Sequence, residues 1–178
     1  MEEQLSGSCT VEIAAFNEFT NFLANEEIGS AYDVIVFDTA PLGHTLRMLQ
    51  LPSAWSNFIS ESTHGASCLG QLAGLEEKKD TYKEAVNTLA NGALTTLVLV
   101  ARPEKAPLLE ADRASKELRE LGVNNQLLII NGILPEDAAT DPVSKELHQK
   151  QQSALNDIPA NLQGITTYSI PVRSANVA

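Results

Sequence analysis

An aspartate that follows an apolar stretch is the first candidate for chemistry in this sequence. Residues 33–37 read Asp-Val-Ile-Val-Phe, and Asp38 follows them. Open α/β folds bind ligands beyond the carboxyl ends of their strands. A carboxylate there can hold the water shell of Mg²⁺, which keeps an octahedron of oxygens. This is the Walker-B arrangement, although a strand-end aspartate is equally able to cap the next helix.

The segment after Asp38 predicts a turn that can respond to a phosphate. Residues 39–45 read Thr-Ala-Pro-Leu-Gly-His-Thr. Pro41 and Gly43 favour a turn whose backbone can approach a phosphate, or move when one is lost, as in nucleotide switches. The sequence has no G-x-x-x-x-G-K-[S/T] phosphate-binding motif.

The two cysteines, Cys9 and Cys68, are candidates for soft-metal ligands. Thiolates are the ligands that soft, thiophilic ions prefer. Cys9 precedes a predicted helix N-terminus, where the helix dipole favours the thiolate. By number alone, two cysteines are more typical of small buried apolar residues.

Strand and helix patterns alternate along the chain. Apolar runs rich in β-branched residues predict strands buried on both faces at 33–38, 95–101 and 126–131, with a weaker strand at 165–170. Helical spacing of apolar residues predicts helices at 10–24, 71–90 and 106–121, and a fourth helix is predicted at 142–156. Gly122 is placed to end the third helix. The fourth helix is polar, and we expect its His148 to face solvent. This alternation predicts an α/β fold, a parallel sheet with crossover helices.

Composition narrows the function classes. The chain has 178 residues and a formal net charge of −11, which argues against a nucleic-acid-binding surface because such a surface needs a basic face. No apolar run approaches the roughly 18–20 residues of a membrane span. The N-terminus lacks the features of a signal peptide. We therefore expect a cytoplasmic protein with no nucleic-acid partner.

Residues 38–45 resemble the signature of the arsenical pump-driving ATPase family, Asp-Thr-Ala-Pro-Thr-Gly-His-Thr, with Leu42 in place of the second Thr. Residues 5–16 and 65–70 resemble the family's two metalloid-cysteine segments. The likeness continues through 97–102 and 128–132. It implies that residues 1–178 are the central-to-C-terminal part of a single P-loop ATPase domain of the SIMIBI type, in the first nucleotide-binding half, without the N-terminal Walker A strand and loop.

The resemblance also implies residue roles at a nucleotide site. Asp38, Thr39 and Gly43 correspond to catalytic and switch positions, and Asp38 also serves Mg²⁺. Asn131 resembles the asparagine that reads adenine, because an amide can donate and accept at once. The alternative for Asn131 is a residue that only forms a strand-end turn.

For the metalloid, the resemblance implies Cys9, Cys68 and His44 as ligands of arsenite or antimonite. His44 directly follows the switch, and its alternative role is a hydrogen bond to the switch backbone. His44 would therefore link the metalloid to the nucleotide.

The function implied is an arsenite- or antimonite-stimulated ATPase that uses ATP and Mg²⁺ and energises efflux through a membrane pump. Its partners would be a second nucleotide-binding half or a homodimer mate and the efflux carrier at the inner membrane. The alternative is a targeting ATPase for tail-anchored membrane proteins. That relative carries a Cys-x-x-Cys and a Met-rich groove. This chain has no Cys-x-x-Cys and only two methionines. We expect the 178-residue chain alone to lack ATPase activity.

Overall fold

The computed structural model describes residues 18–24, 31–38 and 79–173. The chain divides into two units, Met1–Leu94 and Thr95–Ala178, and each is described by itself. The predicted helices at 10–24 and 71–90 fall partly outside the described residues.

In the first unit, residues 18–24 are helical, and helix α1 spans Lys79–Ala90. The Phe37 ring packs edge-to-face on Phe19 and Phe22, with ring centroids 4.9 and 6.0 Å away. The Thr88 hydroxyl of α1 donates a hydrogen bond to the Leu23 carbonyl at 3.3 Å. Aromatic contacts and one long-range hydrogen bond therefore join these segments.

The predicted buried strand at 33–38 is wrong. The segment has no strand pairing, and Val34 and Val36 are 76% and 85% exposed. A strand needs a neighbour to pair its backbone groups, and no described segment supplies one here. Among the described residues, Phe37 of this segment packs on Phe19 and Phe22.

The second unit is a parallel sheet with crossover helices, as predicted. Its strands are β1 (Leu97–Ala101), β2 (Gln126–Ile133) and β3 (Thr166–Pro171), its helices α2 (Lys105–Glu120) and α3 (Pro142–Asn156), and its 3₁₀ turns Glu136–Ala138 and Ala160–Leu162. The strand order is β1-β2-β3, and both pairs are parallel. The α/β class is therefore confirmed.

One face of this sheet carries the core. Leu99 and Ala101 of β1 and Leu128 and Ile130 of β2 are at most 4% exposed. The buried residues of α2 recur every three or four positions, which gives the helix one apolar face: Leu108, Ala111, Ala114, Ser115 and Leu118.

The opposite sheet face is not buried, so the prediction of strands buried on both faces is wrong for this unit. Val98, Val100 and Tyr168 remain 45%, 59% and 58% exposed. The three side chains share a face because burial alternates along β1 and because Ile129 of β2 pairs with both Val100 and Tyr168.

Local sequence signals set the end of α2, before β2, and the start of α3, after β2. Gly122 adopts φ +91° after α2 and donates its N–H to the Arg119 carbonyl at 2.9 Å, as predicted for a terminating glycine. Asp141 caps α3 by accepting hydrogen bonds from the backbone N–H groups of Val143 and Ser144, at 2.9 and 3.1 Å. Pro142 occupies the first turn, where its missing N–H is not needed.

Candidate functional site

The carboxyl ends of the three parallel strands meet at one edge of the sheet. Arg102 follows β1, Asn131 lies near the end of β2, and Val172 follows β3. The Arg102 guanidinium is paired with Glu104, with 3.2 Å between Nε and Oε1. Asn131 is exposed and pairs with Ile170 of β3. Open α/β folds bind ligands at this edge, and the ligand-reading role of Asn131 stays a prediction.

A β-bulge follows Asn131 directly. The β2–β3 register changes from Asn131 opposite Ile170 to Ile133 opposite Pro171. Gly132, between them, adopts φ +84°, and a Cβ built there would meet nothing within 4 Å. The glycine is therefore required by its backbone conformation and not by crowding.

Two side chains of α3 hold the segment that follows the bulge. Gln151 is only 2% exposed. Its Oε1 accepts a hydrogen bond from the Leu134 N–H at 2.8 Å, and its Nε2 donates to the Gly132 carbonyl at 3.1 Å. His148 Nδ1 lies 2.9 Å from the Leu134 carbonyl. Because a carbonyl only accepts, Nδ1 must carry the proton.

The expectation that His148 faces solvent is therefore wrong. The ring is half-buried and bonded to the backbone of the segment after β2. Gln151 was missed altogether. His148 and Gln151 share one helix face through their i, i+3 spacing, but on a helix as polar as α3 that spacing does not single them out.

A cleft of about 600 Å³ is lined by residues of α2, α3 and the loops that flank them. Leucines 108, 109 and 147 supply apolar surface, and Lys105 and Lys150 supply positive charge. Lys150 lies 2.7 Å from Glu146, and hydrogen bonding and attraction to this lysine lower the pKa of the Glu146 carboxyl. The sequence did not predict this cleft.

The predicted site residues are only partly within the described ranges. Asp38 ends the described segment of the first unit and is exposed, and Asn131 belongs to the second unit. Five predicted residues lie outside the described ranges: Cys9, Thr39, Gly43, His44 and Cys68. Their roles stay predictions.

The side chains that could bind a metal ion are those of His, Cys, Asp and Glu residues. Within residues 18–24, 31–38 and 79–173, no group of three or more His, Cys, Asp or Glu side chains is placed to hold a metal ion. Asp38 offers one exposed carboxylate. That donor fits hydrated Mg²⁺, which binds proteins through one or two carboxylates while keeping several waters.

The whole chain, residues 1–178, matches the family model described as anion-transporting ATPase. The chain belongs to this family. The resemblance seen in residues 38–45 and beyond is confirmed by this match.

Named relatives of this anion-transporting ATPase family member agree with the assignment. It is 47% identical to an "Arsenical pump-driving ATPase" of Escherichia coli and to another of Acidiphilium multivorum, in each case over 99% of this chain and 30% of the relative. It is 35% identical to an "ATPase GET3" of Zygosaccharomyces rouxii, over 71% of this chain and 40% of that relative. The chain thus spans less than a third of the length of its arsenical-pump relatives.

Among the helices of the described ranges, none of this family member's is both long and apolar enough to cross a bilayer.

Proposed function

We propose that this chain is the central-to-C-terminal part of a single P-loop domain in an ATPase that arsenite or antimonite stimulates and that drives their efflux. The observation that carries the proposal is the 47% identity to arsenical pump-driving ATPases over 99% of the chain. The likeness to a GET3-named ATPase is weaker and covers 71% of the chain.

Asn131 would read the adenine base of ATP. Its side chain is exposed at the carboxyl edge of a parallel sheet, directly before a β-bulge. An amide presents one donor and one acceptor group, which matches the amino group and ring nitrogen on one edge of adenine.

Asp38 would accept hydrogen bonds from the water shell of Mg²⁺. When bound, this ion neutralises charge on the phosphates of ATP. Thr39 and Gly43 would form the switch that follows. Asp38 is exposed, so its carboxylate is open to solvent and can accept hydrogen bonds from such a water shell.

Arsenite or antimonite would be held by Cys9 and Cys68, with His44 as a third ligand. Thiolates suit these soft centres. The partners would be a second nucleotide-binding half or a second copy of the protein, together with a membrane efflux carrier. The protein would then work in the cytoplasm, at the inner membrane.

The GET3-named relatives support one alternative, a targeting ATPase for tail-anchored membrane proteins. The chain lacks a Cys-x-x-Cys and has only two methionines, Met1 and Met48. Both features favour the metalloid function.

A chimaera tests the proposal. The matching segment of the Escherichia coli relative is replaced by residues 1–178, and ATP hydrolysis is measured with and without arsenite. We expect stimulation by arsenite, and its loss in Cys9→Ser and Cys68→Ser. Ser67→Ala, next to Cys68, is the matched control and should keep the stimulation. A chimaera that hydrolyses ATP but does not respond to arsenite would reject the metalloid assignment.

A thiol titration tests the ligands in the chain alone. Saturating arsenite should protect both cysteines from a thiol reagent, whereas arsenate, which is not thiophilic, should protect neither. Full reactivity of both thiols in arsenite would favour the targeting alternative. In the same preparation, ATP turnover should be absent because the phosphate-binding motif is missing.

A further inference from the structure

We propose that Gln151 is a positioning residue for Asn131. By fixing the backbone that follows Asn131, it holds the Asn131 side-chain amide in one orientation toward the nucleotide base. The proposal rests on the proposed nucleotide role of Asn131 and adds a residue from a different helix to that site.

Gln151 uses both ends of its amide on the backbone that follows Asn131. Its Oε1 accepts from the Leu134 N–H at 2.8 Å, and its Nε2 donates to the Gly132 carbonyl at 3.1 Å. The side chain is 2% exposed, so both bonds are largely shielded from water. Loss of the amide would leave two part-buried backbone groups without these partners, which destabilises that local conformation.

The sheet alone holds Asn131 only from one side. The β1–β2 pairing ends at Ala101 opposite Ile130, one residue before Asn131. On the other side, Asn131 pairs with Ile170, and the register then shifts. Beyond Asn131 the ladder continues through the Val172 N–H, which donates to the Ile133 carbonyl at 2.8 Å. Side chains of α3 hold three further backbone groups of this segment: the Gly132 carbonyl, the Leu134 N–H and the Leu134 carbonyl.

Gly132 makes this support necessary. Its φ of +84° lies in the left-handed region, which glycine enters freely and also leaves freely. A glycine directly after the reading residue would let the segment sample other conformations, and Gln151 restrains it by binding its carbonyl. His148, one helical turn earlier, adds a bond to the Leu134 carbonyl at 2.9 Å.

The test compares ATP with ITP, in which a carbonyl replaces the amino group that the Asn131 amide would recognise. Dissociation constants for both nucleotides are measured by isothermal titration calorimetry, with Mg²⁺ present, on the chimaera that carries residues 1–178, so that the same readout applies to every variant. The readout is the ratio of the two constants. Unfolding reduces binding of both nucleotides equally, so a merely destabilising change leaves this ratio unmoved.

We expect Gln151→Leu to reduce the preference for ATP about fivefold, the size expected for one neutral hydrogen bond. Gln151→Glu keeps the acceptor for Leu134 but places a carboxylate oxygen against the Gly132 carbonyl, so its loss should be at least as large. Gln149→Leu and Gln149→Glu make the same changes at an exposed position of α3 and should keep the wild-type ratio.

Asn131→Ala separates the two ideas. If this variant loses the preference for ATP and both Gln151 variants keep it, the positioning role is wrong and the role of Asn131 stands. If Asn131→Ala keeps the wild-type ratio, or the wild type shows no preference, the proposed role of Asn131 fails and the positioning role fails with it. Loss in Asn131→Ala and in the Gln151 variants, but not in the Gln149 variants, supports the proposal.

Discussion

The carboxylate of Asp112 binds Asn161 twice, although the two residues are 49 positions apart. One carboxylate oxygen accepts from the Asn161 backbone N–H at 2.8 Å, and the other accepts from its side-chain amide at 2.9 Å. This pair joins α2 to the 3₁₀ turn that leads into β3, where Leu162 is 2% exposed. It therefore helps to set where the last strand begins.

Replacing Asp112 tests this connection. Asp112→Ala removes both bonds and leaves the half-buried Asn161 N–H without its partner, so we expect the free energy of unfolding to fall by about 1–3 kcal/mol. Asp112→Asn keeps one acceptor and should lose less. Urea unfolding followed by circular dichroism measures both. Asp137→Ala, at an exposed position, is the control, and equal stabilities for it and Asp112→Ala would refute the argument.

Gly164 is a matched control for Gly132, the glycine at the bulge. Both adopt positive φ, +84° and +82°, and a Cβ at either would meet nothing within 4 Å. Alanine at each should therefore cost about 1–2 kcal/mol of stability through backbone strain alone. Only Gly132→Ala should also reduce the preference for ATP over ITP, because Gly132 follows Asn131. The same loss of preference in Gly164→Ala would show that strain anywhere in the unit has this effect.

The sequence predicts a helix or strand well where neighbouring residues alone determine it, and poorly where its formation depends on distant parts of the chain. Helix α3 has the predicted bounds, and the structure shows a local reason for its start in the Asp141 cap and Pro142. The strands predicted at 95–101 and 126–131 form at Leu97–Ala101 and Gln126–Ile133, because their apolar runs also have neighbours with which to pair. Residues 33–38 have the same composition but no described neighbour, so the same signal gave a wrong strand.

In the candidate site, too, features that depend on neighbouring residues could be predicted and features that depend on distant residues could not. The position of Asn131 at the carboxyl edge could be predicted because it follows an apolar run, which is visible in a few residues of sequence, and its proposed role comes from the family resemblance. Gln151 could not, because the atoms that give it a role lie 17 and 19 residues away along the chain. A polar residue on a polar helix carries no periodicity that would single it out. Only the packing of α3 beside the end of β2 reveals it.

The two faces of the sheet predict opposite mutational responses. Leu128 is fully buried, so Leu128→Ala should lower the free energy of unfolding by about 2–5 kcal/mol. Val98, on the other face, is 45% exposed, and Val98→Ala should cost no more than about 1 kcal/mol, near the range of surface substitutions. Chemical denaturation of the two variants checks this, and a similar loss in both would mean that the exposed face is covered in solution.

The cap of α3 predicts a dependence of stability on pH. The Ser144 hydroxyl donates to the Asp141 carboxylate at 2.6 Å, and this bond, with the N–H groups of Ser144 and Val143, lowers the pKa of Asp141. A carboxylate whose pKa is lowered by folding stabilises the fold above its unfolded pKa, and that contribution is lost as the pH falls through the folded pKa. Wild type should therefore exceed Asp141→Ala in stability at neutral pH, and the difference should shrink below about pH 4, the ordinary range for an aspartate.

Asp141→Asn keeps a capping side chain but does not titrate, so its own difference from Asp141→Ala should not change with pH. Thermal unfolding of the three proteins between acid and neutral pH measures this, and a constant difference between wild type and Asp141→Ala would show that the carboxylate contributes nothing through its charge.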